Sequence, residues 1–347
     1  MSGGKNGFGL NFQSTPPSRR HLLMRAIQLL LILPFLVVLL LAVHFQFDGI
    51  GRMAIQLLIL GAAVALARLW WANNVWTVWL AAAALVFLAS VWWGTIQPTN
   101  DSDWQPDVEF GVTSEITGNI ATLHHVRDFD WRTTTDFTPR WEERRYNIDE
   151  ITSVDLFTSV WGNPAIAHVL VGFGFKDGQH VVFSAETRKA KGQVYTTIGG
   201  FFRLYTLVLL AAEERDIIRL RTDVRDAPPE TVRIFALNLG PERRKELFLD
   251  YLALGNRLAE QPEFYNTLTT NCTTVVWRLA RKIEPGLPLN WRVLLSGYFP
   301  QYLYDHGAIR TDVPFDQVMQ EAIIPGERVA GPDGPTFSRR LRALEGD

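Results

Sequence analysis

The single cysteine of the chain, Cys272, stands in the stretch TTNCTTVVWRLAR. Asn271 directly before it is a good helix N-cap, because its side-chain oxygen can accept a backbone N–H of the first helical turn. We therefore expect Cys272 at the first position of a helix. There the positive end of the helix dipole favours a thiolate, and nearby backbone N–H groups would stabilise an oxyanion. This position suits a nucleophile.

A nucleophilic thiol needs an imidazole as base and a carboxylate that orients the imidazole. Two apolar runs, AHVLVGFGF and HVVFSAETR, flank the turn residues KDGQ, which predicts a β-hairpin. Each run has one row of alternate residues with larger apolar side chains. Placing these two rows on one face of the hairpin pairs odd-numbered residues with odd-numbered residues. Such pairing requires a loop with an odd number of residues, most simply residues 177–179. His168, Ser184 and Glu186 then share the other face, with Glu186 opposite or diagonal to His168.

These placements predict Cys272 as the nucleophile, His168 as the base and Glu186 as the orienting carboxylate. Ser184 is the alternative orienting residue. The competing interpretation is that Cys272 is a small buried hydrophobe and that His168 is a satisfied core histidine. His306, which follows the cysteine in the chain as papain-type order requires, is a rival base.

Metal and cofactor chemistry finds little support in the sequence. One cysteine excludes an intrachain disulfide and a cysteine-based zinc site. The seven histidines include one adjacent pair, His124 and His125, which the alternating faces of a strand would separate. No HExxH, P-loop or GxGxxG pattern is present. We expect no metal or cofactor and, with a net charge of −2 and no Lys/Arg stripe, no nucleic-acid partner.

Three apolar segments follow a basic N-terminal tail. Residues 22–43 are long enough to span a bilayer, and two further runs, MAIQLLILGAAVALARLWW and VWTVWLAAAALVFLASVWW, are joined by the short link ANN. The first run is longer than a signal-peptide core and has no A-x-A site close behind it. We therefore expect three retained membrane helices, with tryptophans at their ends as interfacial anchors.

The basic residues Lys5, Arg19, Arg20 and Arg25 lie on the N-terminal side of the first span, and Arg52 opposes them. The positive-inside rule then places the N-terminus in the cytoplasm and the residues after about position 97 outside. We expect a multi-pass protein of the bacterial inner membrane with a periplasmic C-terminal domain.

The predicted organisation has five parts: a cytoplasmic basic tail (1–21), three transmembrane helices (22–96), a turn-rich linker (97–117), an extracytoplasmic α+β domain with an antiparallel sheet (118–325) and an irregular tail (326–347). Within the domain, GNIATLHHVRDFDWRT and RIFALNL have the pattern of strands. PERRKELFLDYLALGNRLAEQ has helical spacing, a second helix begins near Cys272, and a shorter one lies in NWRVLLSGYFPQYLYDHG.

Four long motifs, in order, resemble one known family: HVRDFDWRTTTDFTPRWEERRYNIDEITSVDL, WGNPAIAHVLVGFGFKDGQHVVFSAETRKAKGQ, FFRLYTLVLLAAEERDIIRLRT and LAEQPEFYNTLTTNCTT. They resemble the Lnb N-terminal periplasmic domain over about residues 118–279. That family is associated with bacterial lipoprotein N-acylation. More distantly, a strand-borne histidine followed by an Asn-Cys helix resembles permuted NlpC-like papain folds, which include the lecithin:retinol acyltransferase group. The resemblance implies Cys272 as nucleophile and His168 as base.

The Lnb-type proteins associated with acyl transfer carry membrane spans after this domain, whereas three spans precede it here.

We expect a membrane-anchored cysteine acyltransferase that works through an S-acyl enzyme, with phospholipid as donor and a lipoprotein amine as acceptor. A cysteine amidase or peptidase acting on cell-wall peptides is the alternative, and a polar, open cleft would favour it. A non-catalytic envelope protein is the third. The segment 298–304 would line an acyl groove or belong to the core.

Overall fold

The chain divides into two units between Gln97 and Pro98. The computed structural model describes residues 19–72, 74–325 and 334–342. Most of the predicted basic tail, including Lys5, therefore lies outside the described residues, as do residues 326–333 and 343–347 of the predicted C-terminal tail.

The first unit consists of three long apolar helices, as predicted. They are α1 (Arg19–Gln46), α2 (Gly49–Trp71) and α3 (Val75–Thr95), and each is long and apolar enough to cross a membrane. Polar side chains in such a setting need partners inside the protein. Gln28 is buried and donates a hydrogen bond to the carbonyl of Val75 at 2.9 Å, and the Arg25 guanidinium lies 3.9 Å from the ring centre of Trp70.

The second unit is a mixed α+β region whose main sheet is mostly antiparallel, as predicted. Among its described residues the strands are β1 (Thr113–Thr117), β2 (Ile120–Arg127), β3 (Asp130–Trp131), β4 (Phe137–Thr138), β5 (Trp141–Asn147), β6 (Ile151–Val160), β7 (Ala167–Phe175), β8 (His180–Arg188), β9 (Thr206–Ala212) and β10 (Thr231–Ala236). The main sheet has the order β1-β2-β9-β8-β7-β6-β10, with β5 on the other edge of β2, while β3 and β4 form a separate pair.

Strand β2 departs from the antiparallel pattern. Its first half pairs with β1, and its last two residues pair in parallel with β9, at Val126 and Arg127. A bulge between Leu123 and Val126 separates the two halves, and His125 within it has a positive φ of 61°. A bulge bends a strand and increases its twist, so β2 can serve two neighbours on one side.

The helices of the second unit cover both faces of the sheet. The described ones are α4 (Glu214–Ile217), α5 (Pro241–Glu260), α6 (Cys272–Ile283), α7 (Trp291–Leu294), α8 (Phe299–Asp305), α9 (Phe315–Glu321) and α10 (Gly334–Arg342). The two predicted long helices are confirmed as α5 and α6, and the predicted short one is divided into α7 and α8. Residues of α5 and α6, such as Phe248 and Val275, join the odd-numbered side chains of β7 and β8 in the larger core.

Helix α10 closes the opposite face, and the prediction of an irregular C-terminal tail is wrong for its residues. Phe337 and Leu341 pack with Leu170 and Val182 from the even-numbered row of the sheet. Arg342 donates to Asp155 and Glu214, two carboxylates that are almost fully buried. Burying these charges requires a cation, because an unpaired carboxylate in the interior is strongly unfavourable.

In the β7–β8 hairpin the strands pair odd with odd positions, as predicted, but the loop lies one residue earlier than predicted. Odd positions pair with odd positions, as in Val171 with Phe183. The N–H of Phe175 donates to the carbonyl of Gln179 at 3.0 Å, so the three-residue loop is residues 176–178 instead of 177–179. Gly178 has a φ of 86° and ends the loop, where a type I turn followed by a left-handed residue places its glycine. The register therefore moves by two residues, which leaves every side chain on its predicted face.

Arg342→Leu should destabilise the second unit by about 3 kcal/mol, because it leaves the carboxylates of Asp155 and Glu214 buried without their cation. For a unit of this size we expect the Tm to fall by roughly 6–12 °C. Differential scanning fluorimetry of the full chain in detergent measures this. Arg310→Leu, which removes exposed ion pairs with Asp312 and Glu321, is the matched control and should leave the Tm nearly unchanged. Equal Tm values for both variants would contradict the assigned role of Arg342.

Candidate functional site

The predicted cap of α6 is confirmed. The Asn271 side-chain oxygen accepts from the backbone N–H of Thr274 at 2.9 Å, and the Thr274 hydroxyl accepts from the backbone N–H of Asn271 at 2.8 Å. This reciprocal capping box fixes the first turn and places Cys272 at the first helical position. The thiol is buried, with 8% of the residue exposed, and lies at the positive end of the helix dipole.

The thiol faces the end of strand β7. The ladder between β7 and β8 runs from Gly174 opposite His180 to Leu170 opposite Ser184 and ends there. Cys272 Sγ lies 3.9 Å from the carbonyl oxygen of Ala167, and the backbone N–H of Val169 also interacts with the sulfur. The first residues of β7 thus offer backbone groups to the thiol where the β7–β8 ladder has ended.

His168 lies between the Cys272 thiol and the side chains of Ser184 and Glu186 on β8. Its Nε2 lies 2.8 Å from Ser184 Oγ and 3.0 Å from Glu186 Oε1. The Ser184 hydroxyl donates its own hydrogen to Glu186 Oε1 at 2.8 Å, so the serine bridges the histidine and the carboxylate. With Nε2 occupied in this way, Nδ1 is the ring nitrogen left to bond the thiol, and His168 and Cys272 are hydrogen-bond partners.

Arg221 completes the surroundings of Glu186. It is buried on a short π-helical turn, residues 220–224, and its Nη2 donates to Glu186 Oε1 at 3.2 Å. One carboxylate oxygen therefore accepts from His168, Ser184 and Arg221 together. Reasoning from the sequence missed Arg221, because neither the periodicity nor the hairpin register relates it to Glu186.

The three groups shift one another's pKa values. Burial raises the pKa of the Cys272 thiol, but the charge of His168 and its hydrogen bond outweigh this and lower the pKa below the ordinary value. Burial likewise lowers the pKa of His168, but the charges of Glu186 and Cys272 raise it to about 9. The pKa of Glu186 is well below its usual range, because the charge of His168 outweighs the effect of burial. The charges of Glu186 and His168 therefore favour the imidazolium form of His168 and the thiolate form of Cys272.

A cavity of about 560 Å³ opens at this site. Cys272, His168 and Glu186 all line it. Charged and polar side chains form part of the wall, namely Lys189, Arg221, Arg225, Asp226 and Glu230, and apolar ones form another part, namely Trp161, Ile166, Tyr195, Pro228, Tyr265 and Leu294. The cavity is therefore amphipathic, and a substrate can reach the thiol from it.

Several residues considered in the sequence lie away from this cavity. The Nδ1–H of His306 donates to the carbonyl of Tyr302 at 2.7 Å, and the His306 ring lies 4.3 Å from the Tyr302 ring, centre to centre. His124 pairs with Glu143, and His125 stacks on Phe110 at 4.7 Å. Within the segment 298–304, Phe299 and Tyr302 are core residues, and Tyr298 lines a different cavity. None of these residues lines the cavity that contains Cys272.

His168→Ala should slow alkylation of Cys272 by iodoacetamide at pH 7 by about tenfold or more, because burial raises the thiol pKa once the imidazolium is gone. Since the chain has one cysteine, mass spectrometry of the full chain reads this rate directly. His306→Ala is the control and should react as the wild type does. An unchanged rate in His168→Ala would show that the thiolate does not depend on His168.

One family model matches the chain, that of the Lnb N-terminal periplasmic domain, over residues 137–297. The matched range contains every residue of the site, from His168 to Cys272. No curated protein and no solved structure matches the chain significantly. The resemblance expected from the sequence is thus confirmed at the level of the family. Residues 137–297 match the Lnb N-terminal periplasmic domain, and together with the three apolar helices that precede this range the match indicates a membrane-anchored protein with a periplasmic domain.

Proposed function

We propose that the chain is a cysteine-dependent acyltransferase of the bacterial inner membrane, with a cytoplasmic N-terminus and its second unit in the periplasm. One observation carries the proposal. A thiol at a capped helix N-terminus is paired with a histidine whose other ring nitrogen is held by Glu186 at 3.0 Å, and all three line one cavity. This arrangement of nucleophile, base and orienting group is that of thiol acyl-transfer enzymes, and it supports the distant likeness to papain-type NlpC folds.

In the first step the Cys272 thiolate attacks the carbonyl carbon of a phospholipid ester. The C–S bond forms, the ester C–O bond breaks, and the His168 imidazolium gives its proton to the departing alcohol. Charge develops on the carbonyl oxygen during the attack, and the backbone N–H groups at the start of α6 are suited to stabilise it. The products are an S-acyl enzyme and a lysophospholipid.

In the second step an amine, such as the N-terminal amine of a lipoprotein, attacks the thioester. The C–N bond forms, the C–S bond breaks, and the neutral His168 takes a proton from the amine, which restores the thiolate–imidazolium pair. Glu186 remains ionised in both steps and stabilises the imidazolium, while Ser184 and Arg221 hold the carboxylate in place.

The lining of the cavity supports an amphiphilic donor. The cationic side chain of Lys189 suits the phosphate of a headgroup, and apolar side chains such as Ile166 and Leu294 suit an acyl chain. The three membrane helices keep the unit next to a bilayer that contains such lipids.

The charged part of the same wall favours a second candidate, a cysteine amidase or peptidase. Asp226, Glu230 and Arg225 would bind the charged groups of a cell-wall peptide. The thiol chemistry is the same in both cases, since an amide C–N bond would break in place of the ester bond. The two candidates differ in whether an acyl chain from a lipid ever resides on Cys272.

Intact-mass spectrometry of detergent-purified protein mixed with phospholipid distinguishes them. We expect a hydroxylamine-labile adduct of fatty-acyl mass on the wild type and none on Cys272→Ser. An absent adduct with a readily alkylated Cys272 would favour the amidase. A thiol that resists both lipid and alkylating reagent would return Cys272 to the role of a core residue.

Variants of the base and of its orienting residue should have graded effects on turnover. His168→Ala should reduce turnover by about 10²–10⁴-fold, the contribution expected of a general acid–base residue. With the wild type we expect turnover to fall as the pH rises through about 9, where His168 loses its proton. Glu186→Gln removes the charge that raises this pKa, so the fall should move to lower pH.

The matched control for the pH profile is Glu143→Gln, which removes a carboxylate paired with His124 outside the cavity. Its profile should coincide with that of the wild type. If Glu186→Gln also left the profile in place, the carboxylate would not act through His168.

A further inference from the structure

Exposed apolar side chains surround the mouth of the Cys272 cavity. We define the apolar rim as Trp161, Ile166, Val194, Ile198, Leu268 and Leu294. Trp161, Ile166 and Leu294 line the cavity and are more than one-third exposed. Ile198 and Leu268 directly follow two further lining residues, Thr197 and Thr267, and are about half exposed, while Val194 next to the lining residue Tyr195 is 77% exposed.

Separate parts of the chain are brought together to build this rim. Trp161 and Ile166 lie between β6 and β7, Val194 and Ile198 between β8 and β9, Leu268 before α6, and Leu294 at the end of α7. The backbone N–H of Thr267 donates to the carbonyl of Gly200, and the Thr267 hydroxyl donates to the carbonyl of Thr197, so two of these loops are bonded to each other. Several exposed apolar side chains grouped around one cavity in this way indicate a binding surface.

The chemistry of the rim and its neighbours fits a lipid surface better than water. Trp161 and Tyr195 are side chains that prefer the membrane–water interface, because one end of each is apolar and the other polar. Lys189 lines the cavity inside the rim and carries the positive charge that anionic headgroups attract. The chain also enters the second unit only a few residues after the third membrane helix, which ends at Thr95.

We propose that the apolar rim inserts into the outer surface of the bilayer, so that the mouth of the cavity opens directly to lipid. This inference rests on the proposed function, because it names how the acyl donor reaches Cys272. The donor then moves from the bilayer into the cavity without crossing water, and its acyl chain follows the apolar part of the wall while its headgroup faces the cationic part.

Site-directed spin labelling tests the contact independently of catalysis. In the full chain carrying Cys272→Ser, single cysteines are introduced by Val194→Cys, Ile198→Cys and Leu268→Cys, and the nitroxide-labelled protein is placed in phosphatidylethanolamine–phosphatidylglycerol nanodiscs. Collision with oxygen, which concentrates in lipid, is compared with collision with a water-soluble nickel chelate. Ile116→Cys on β1 and Leu249→Cys on α5 are matched controls, because both side chains are exposed and apolar but neither lines the cavity.

We expect the ratio of oxygen to nickel accessibility to be several-fold higher at the rim positions than at the controls. Equal ratios would overturn the proposal. Rim labels shielded from both reagents would also overturn it, since the surface would then be covered by protein, such as a second copy of the chain.

A second measurement connects the rim to lipid delivery. The double change Ile198→Asp with Leu268→Asp places negative charge against an anionic surface and should slow S-acylation by nanodisc phospholipid by about tenfold. Alkylation by water-soluble iodoacetamide should stay at the wild-type rate, which also shows that the variant is folded. Unchanged acylation would contradict docking. If the spin labels lie in lipid but the wild type forms no acyl adduct, the docking proposal stands and the acyltransferase proposal fails. If the wild type forms an acyl adduct but the spin labels lie in water, the acyltransferase proposal stands and the docking proposal fails.

Discussion

The register of the β7–β8 hairpin is the constraint on which the site depends. Side chains of a strand alternate between two faces, so a shift by one residue would separate His168 from Glu186 and move the apolar row of β7 and β8 away from α5 and α6. The register Leu170 opposite Ser184, continued by two residues, places Glu186 opposite His168. The same pairing that places the apolar row in the core therefore also places His168 and Glu186 on one face.

The second requirement is the compensation of buried charge. Glu186 is stable as a carboxylate inside the protein because one of its oxygens accepts from His168, Ser184 and Arg221. The ionised carboxylate raises the pKa of His168, and the charge of the imidazolium in turn lowers the pKa of Cys272. The reactivity of the thiol thus depends on the carboxylate of Glu186, which acts on the thiol through the imidazole ring of His168.

The hairpin and the start of α6 could be predicted from the sequence because both depend on local rules. Alternation predicted β7, β8 and their shared face, and the Asn271 cap predicted the start of α6. The exact loop could not be predicted, since loops 176–178 and 177–179 place the same side chains on the same faces, although they differ in register by two residues and in the place of Gly178. Arg221 and α10 could not be predicted either, because their places are set by contacts with the carboxylates of Glu186, Asp155 and Glu214, which only the folded chain reveals.

A thiol acyltransferase must also protect its intermediate, since water can hydrolyse a thioester. Excluding water at the mouth of the cavity favours transfer to an amine over hydrolysis. The charged wall alone would draw water towards Cys272, and the apolar rim alone would offer no site for a headgroup. A cavity with a charged interior and an apolar mouth both binds a headgroup and excludes water when lipid covers the mouth. On this reasoning the proposed chemistry and the proposed bilayer contact support each other, because the bilayer both supplies the acyl chain and replaces the water that would destroy the acyl enzyme.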